Sequence, residues 1–284
     1  MSGFSPEWLA LREPHDAKAR NASVRDAVLT ALTGLDPVGI VDLACGTGSM
    51  LRALSPLLPA RQTWRLVDND LSLLARAADT VRPERAWTKA VPIDLAYDLE
   101  AALDGPIDLV TTEALLDLVS EPWLERFVTE CVARRLPVYA ALSYDGRMAF
   151  APEDPGDAAI VAALNAHQRS DKGFGPALGP AAAAAAIARF AALGYRVADG
   201  AADWVVAPAD RDMQNAMLAG CASASRELGA ASLEEIAAWL TRRRALVAAG
   251  RSSIRVGHVD FFACPTATRR ADRSQSNSTS PPSR

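Results

Sequence analysis

Cysteine is scarce in this chain: Cys45, Cys131, Cys221 and Cys264 stand far apart, with no CxxC pair among them. That excludes a zinc knuckle or a disulfide framework and fits a reducing, cytoplasmic setting. Long apolar runs are also missing. The least polar stretch, Pro176 to Gly194, is mostly alanine and is broken by Pro180 and Arg189, so it reads as a helix packed in protein and not as a membrane span. The first twenty residues mix acids with bases and hold no apolar segment of leader length. Nor is there an excess of positive charge. The formal net charge is −4, and because the four Arg and one Asp of the last twenty residues amount to +3, the rest carries −7. A polyanion backbone would find no general attraction here, so neither nucleic acid nor a membrane is expected as a partner. No cluster of residues has metal-ligand spacing, and no metal is expected.

What is there is an alternation of short apolar runs with amphipathic stretches. Glu7 to Leu32 has helical periodicity interrupted at Pro14, and is expected to form a helical cap over residues 1–36. Strands are expected at Gly39–Leu43, Thr63–Val67, Arg85–Val91, Ile107–Thr112 and Pro137–Ser143, with helices between them. Such alternation predicts a doubly wound α/β fold with a mostly parallel, seven-stranded sheet and right-handed crossovers. The pattern loosens at about 151–180, and two helices are expected within 210–250; both segments read as insertions able to cover a site. YRVADGAADWVVA, after Gly194, suits a strand or a hairpin, and Ser253 to Ala263 a last strand. Ser232 with Glu235 matches a capping box. The main domain spans 37–264, and 265–284 has the composition of a disordered tail.

The chemistry gathers after the first strand. In VDLACGTGS, Asp42 stands near the strand end, and Gly46 and Gly48 leave bare backbone where a ligand meets the start of a helix. The second strand ends in VDND, which sets Asp68 to accept both hydrogen bonds of a ribose diol, with Asn69 beside it. Asp94, followed by Leu95, ends the third strand. Singly these are ordinary strand-end carboxylates, which also favour helix N-caps. Together they terminate successive strands on one sheet edge beside a glycine loop.

On these residues the chain resembles the class I S-adenosylmethionine-dependent methyltransferases, whose first motif, acid-x-Gly/Ala-x-Gly-x-Gly, is matched by Asp42-Leu43-Ala44-Cys45-Gly46-Thr47-Gly48. The resemblance covers about residues 37–144. It implies S-adenosylmethionine as cofactor, with Asp42, Ala44 and the glycines serving the methionine moiety, Asp68 the ribose and Asp94 the adenine amine. It also sets Thr112, Glu113 and Ala114, at the end of the fourth strand, near the transferable methyl. A nicotinamide- or nucleotide-sugar-dependent enzyme on the same fold is the nearest alternative, but GTGSML lacks the third glycine of the nicotinamide motif GxGxxG; a non-catalytic S-adenosylmethionine-binding module is another.

The acceptor is expected to be a small molecule. Thr-Thr-Glu-Ala replaces the Asn/Asp-Pro-Pro-aromatic motif of amide- and base-nitrogen methylators, and no cysteine stands where the cytosine-carbon enzymes need one. Candidate catalytic residues are His167, whose ordinary pKa is near neutrality, and Tyr144 and Asp145 after the fifth strand. Candidate substrate-binding residues are Arg12 on the cap, and Arg169, Lys172 and Phe174 in HQRSDKGFG, a loop able to close over a ligand. A solvated loop and a surface turn, SYDGR, explain the same residues without function. Arg12, Asp16 and Arg20 suit an exposed ion-pair ladder, His258 and Asp260 a structural pair on one strand face, and Trp64, Trp123, Trp204 and Trp239 buried anchors.

Overall fold

Strand follows helix along the chain, and the order of the strands across the sheet decides where a ligand can enter. The computed structural model describes residues 4–59, 61–78, 86–229 and 231–266. Two helices come first, α1 (Pro6–Ala19) and α2 (Ala22–Leu32). Then come β1 (Val38–Leu43), α3 (Ser49–Leu54), β2 (Gln62–Asp68), α4 (Leu71–Ala78), β3 (Ala86–Pro92), α5 (Leu99–Ala102) and β4 (Leu109–Glu113). The second half holds α6 (Glu121–Ala133), β5 (Val138–Ala151), α7 (Asp157–His167), α8 (Ala182–Ala192), β6 (Tyr195–Ala201), β7 (Trp204–Val206), α9 (Arg211–Glu227), α10 (Leu233–Ala248) and β8 (Ser253–Pro265).

The sheet runs β3-β2-β1-β4-β5-β8-β6, with β1 to β5 and β6 running in one direction, β8 antiparallel between β5 and β6, and the short β7 added as an eighth strand antiparallel to β8. The seven-stranded path is the one expected. Strand order reverses between β1 and β4, and the carboxyl ends of those two strands open the crevice in which such sheets bind ligands. YRVADGAADWVVA makes two strands that pair with β8 and not with each other, so it is no hairpin.

Strand β5 overruns its expected end by eight residues, carrying Tyr144 and Asp145 into a bulged ladder with β8 in place of a turn. The overhang gives the insertions something to pack on. Helices α7, α9 and α10 close around it in a cluster that includes Tyr144, Phe150, Trp204, Met217, Trp239 and Val256. The four named tryptophans are all buried, and Ser232 and Glu235 form the expected capping box.

The cap departs from expectation in an instructive way. Helix α1 runs straight through Pro14, and the break comes at Arg20, where Asn21 caps α2 by accepting the Val24 N–H at 3.1 Å. Arg12, Asp16 and Arg20 form no exposed ladder: Arg12 donates to Asp16 at 2.8 Å with both buried, and Arg20 turns inward. Asp260 is not paired with His258. It accepts from the N–H groups of Asn21 and Leu142 at 2.9 and 2.8 Å, tying the cap to the sheet, while Nδ1 of His258 is buried without a hydrogen-bond partner. From Pro265 onward a tail was expected; Pro265 ends β8, the Thr266 hydroxyl donates to the Gly194 carbonyl at 3.0 Å, and 267–284 lie outside the described residues.

Candidate active site

Two chambers meet at the β1–β4 rim. The larger, about 270 Å³, is lined by Asp68, Asn69, Asp94, Leu95, Ala114, Leu115, Leu118, Lys172 and Phe174. The smaller, about 40 Å³, is lined by Asp16, Asp42, Cys45, Thr47, Ser49 and Met50. Leu9, Arg12, Ala44, Gly46 and Glu113 border both.

The loop after β1 is shaped by backbone strain. Ala44 and Gly46 have φ of 54° and Gly48 of 83°, a region that L side chains rarely adopt. Ala114, at the end of β4, shares it at 50°. Gly48 is not a lining residue. A Cβ on it would meet the Cβ of Ala77 at 3.3 Å, so its bareness lets the loop lie close against α4. Gly46 is the residue that opens the chambers, and its N–H donates to Asp68 at 2.9 Å.

Carboxylates finish the rim. Asp68 also accepts from the Asp70 N–H at 3.0 Å, and Asp94 accepts from the Ala96 N–H at 3.0 Å. Asp68 ends β2 and Asp94 lies two residues past the end of β3, and both line the larger chamber. Thr112, a cofactor-site candidate, is buried and lines neither chamber, its hydroxyl donating to the Leu43 carbonyl at 3.0 Å. The Leu95 carbonyl accepts from the Trp123 indole at 2.6 Å, which braces the wall.

The smaller chamber is a nest of buried charge. Glu113 accepts from Arg20 and from the Ser49 hydroxyl, each at 2.7 Å and on the same oxygen, leaving Oε1 buried and unpartnered. Burial pushes its carboxyl up, but Arg20, Arg12 and the Ser49 hydroxyl outweigh that and hold it below the usual range. Asp42 has a single partner, the Thr111 hydroxyl at 2.8 Å, and its Oδ2 is unpartnered. Burial, with Glu113 and Asp68 near by, pushes its carboxyl up to about 8. Asp16 is pushed up to about 7, by burial first, against the pull of Arg12.

A raised carboxyl binds its proton more tightly folded than unfolded. Its contribution to stability is therefore full below the ordinary value near 4 and is lost as pH climbs through about 8. Asp42→Asn is accordingly expected to raise the melting temperature of the ligand-free protein at pH 8.5, with the gain shrinking toward pH 4. Scanning calorimetry of both proteins over that range checks the sign, and a gain independent of pH counts against a buried, protonated Asp42.

The sequence-derived candidates divide by position. Asp42, Ala44, Gly46, Asp68, Asn69, Asp94, Leu95 and Glu113 converge on the chambers, as do Arg12, Lys172 and Phe174. Tyr144, Asp145, His167 and Arg169 do not line them. The Tyr144 hydroxyl donates to Asn165 at 2.8 Å, Asp145 accepts from Arg147 at 2.7 Å, and Arg169 donates to the Asn165 carbonyl at 3.1 Å. His167 stands behind the wall, its Nδ1 3.3 Å from the Lys172 ammonium and its Nε2 3.0 Å from Glu227. Leu9, Ser49, Leu115 and Leu118 also line the cavity without having been singled out. Aliphatic residues on a helix and a turn carry no sign of a ligand until a fold turns them toward one. Among the described residues no group of three or more His, Cys, Asp or Glu is set to hold a metal, and no helix is long and apolar enough to cross a membrane.

Residues 40–136 match the family model described as a methyltransferase domain. No curated protein matches the sequence. Among solved structures, the chain is similar to a cyclopropane-fatty-acyl-phospholipid synthase-like protein from Lactobacillus casei, at 14% identity over 89% of this chain and 98% of that one, with a TM-score of 0.50. It is also similar to the cyclopropane synthase MmaA2 from Mycobacterium tuberculosis, at 12% identity over 92% and 94% of the two chains, with a TM-score of 0.48.

Proposed function

We propose that the chain is a class I, S-adenosylmethionine-dependent methyltransferase, a reading supported by the methyltransferase-domain match over residues 40–136, and that it moves the methyl group of that cofactor to a small-molecule acceptor held beneath α1 and the 151–180 insertion. The observation that carries this reading is the joining of two chambers at Gly46, one lined by the strand-end carboxylates of β2 and β3, the other by buried charge. In this reading the adenosine occupies the first, and the ammonium of the amino-acid end reaches into the second. In this reading Asp68 accepts from the ribose hydroxyls, Asp94 and the Leu95 backbone meet the adenine edge, and Asp42 and Glu113 serve the methionyl end.

Methyl transfer from a sulfonium is an in-line displacement: the acceptor's lone pair forms the new bond to carbon as the C–S pair returns to sulfur. Much of the catalysis is therefore positioning. Arg12 borders both chambers and Lys172 the outer wall, so an acceptor bearing an anionic group can be oriented between them. Burial holds the Lys172 ammonium below its usual range, and the imidazole of His167 accepts from it. That bond occupies the His167 Nδ1 lone pair, so in this reading His167 holds Lys172 in place. Tyr144 and Asp145, bonded to Asn165 and Arg147, hold the adjoining wall.

The reading is tested by calorimetry with S-adenosylhomocysteine and with NAD(H). The first is expected to bind and the second not, and the reverse result rejects the proposal. Asp68→Ala should weaken the first by about 1.5–3 kcal/mol, the scale of hydrogen bonds to a charged group. Unchanged affinity would remove Asp68 from the ribose.

A further inference from the structure

Among the described residues, eight buried polar side-chain atoms lack a hydrogen-bond partner, and two of them, Asp42 Oδ2 and Glu113 Oε1, are carboxylate oxygens of residues lining the smaller chamber. An unpaired acceptor buried so fully is costly unless something supplies a donor. The chamber, about 40 Å³, has room for a water or an ammonium-sized group. Glu113 already has its cation: Arg20 and the Ser49 hydroxyl sit on its other oxygen. Asp42 has only a neutral hydroxyl.

We propose that the ammonium of the cofactor's methionyl end enters between Asp42 Oδ2 and Glu113 Oε1, and that its arrival displaces a proton from Asp42 to solvent. This rests on the cofactor site proposed above and adds to it a charge balance. Without a cation between them, two carboxylates buried in one chamber disfavour each other's ionisation, and the one lacking an arginine keeps its proton. The elevated Asp42 carboxyl in the ligand-free protein agrees with that. Once the ammonium binds, both carboxylates ionise. The Asp42 O–H bond is lost, the proton passes to buffer, and the ammonium keeps its three hydrogens.

The groups facing Asp42 come from every neighbouring element. Strand β4 brings Thr111 and Glu113, β2 brings Asp68, α1 and its end bring Arg12, Asp16 and Arg20, and the loop brings the Cys45 thiol, which burial keeps protonated. Tyr139, on β5 beside Arg20, stays neutral for the same reason. Asp16, pushed up to about 7, borders the same chamber, whereas Asp117, pushed up to about 6 by burial, does not line it, so the test must separate Asp16 from Asp42.

The experiment is isothermal calorimetry of the full-length protein with S-adenosylhomocysteine, at fixed pH in buffers of different ionisation enthalpy, repeated from pH 6 to 7.5. Close to one proton is expected to be released per ligand near pH 7, and affinity should rise roughly tenfold per pH unit below about 8. Asp42→Asn should abolish the release and flatten the pH dependence, and Asp16→Asn should keep both. If Asp42→Asn binds too weakly to measure, 5′-methylthioadenosine decides the matter. It has the same nucleoside without the amino acid, so it should bind the wild type without releasing a proton. Binding of S-adenosylhomocysteine with no proton released overturns the inference alone, as does the same release with methylthioadenosine or a release that follows Asp16. Failure of S-adenosylhomocysteine to bind at any pH overturns the cofactor reading as well.

Discussion

Gly46→Val is expected to reduce binding of S-adenosylhomocysteine below detection while leaving the fold in place. Gly46 borders both chambers, so the two methyls of valine would stand where the adenosyl and methionyl halves of the ligand join. The φ of 54° adds a backbone penalty of about 1–2 kcal/mol for any residue with a Cβ, and more for a β-branched one. The Cβ itself is tolerable, since its nearest neighbour would be the Leu9 Cδ1 at 3.4 Å. Gly46→Ala should therefore retain weakened binding, which separates strain from steric blockage. Calorimetry for binding, with circular dichroism and a melting curve for the fold, makes the comparison. Undiminished affinity in the valine variant would place the ligand elsewhere.

The largest loss of stability is expected from Arg20→Met. Arg20 and Glu113 meet at 2.7 Å with side chains only 7% and 8% exposed, and removing the guanidinium leaves a carboxylate in the interior with only the Ser49 hydroxyl. Breaking such a buried pair costs about 3–5 kcal/mol. In a protein of this size that lowers the melting temperature by roughly 10 °C. The double variant Arg20→Met with Glu113→Leu should recover much of the loss, because an apolar pair has no stranded charge, yet it should not recover cofactor affinity. Unfolding in urea, followed by ligand titration, measures both. A loss under about 1 kcal/mol for Arg20→Met would mean the pair is solvated and contributes little.

Much of the cofactor rim was legible before any coordinates. Asp42, Gly46, Asp68 and Asp94 stand at the ends of successive apolar runs, and that spacing becomes convergence once the runs align as parallel strands. The acceptor side was far less legible. Tyr144 and Asp145 looked like a turn because Gly146 follows them, whereas β5 continues through a bulge that the antiparallel β8 stabilises. His167 was attractive for its titration range, but its partners, Lys172 and Glu227, come from a loop and from a helix sixty residues away. Leu9 and Arg12 became cavity walls only because α1 lies across the opening.

By itself, the order of residues determined the period of each element, the strained loop and the carboxylates at strand ends, because these depend on neighbours in the chain. Which charges are buried, which are paired and which are left without a protein partner was decided by tertiary structure alone. Arg20 reaches Glu113 across 93 residues, and Asp42 meets Thr111 across 69. Desolvation is set by everything packed around a group, so the same aspartate is an ordinary acid in the unfolded chain and a proton-holding one inside the fold.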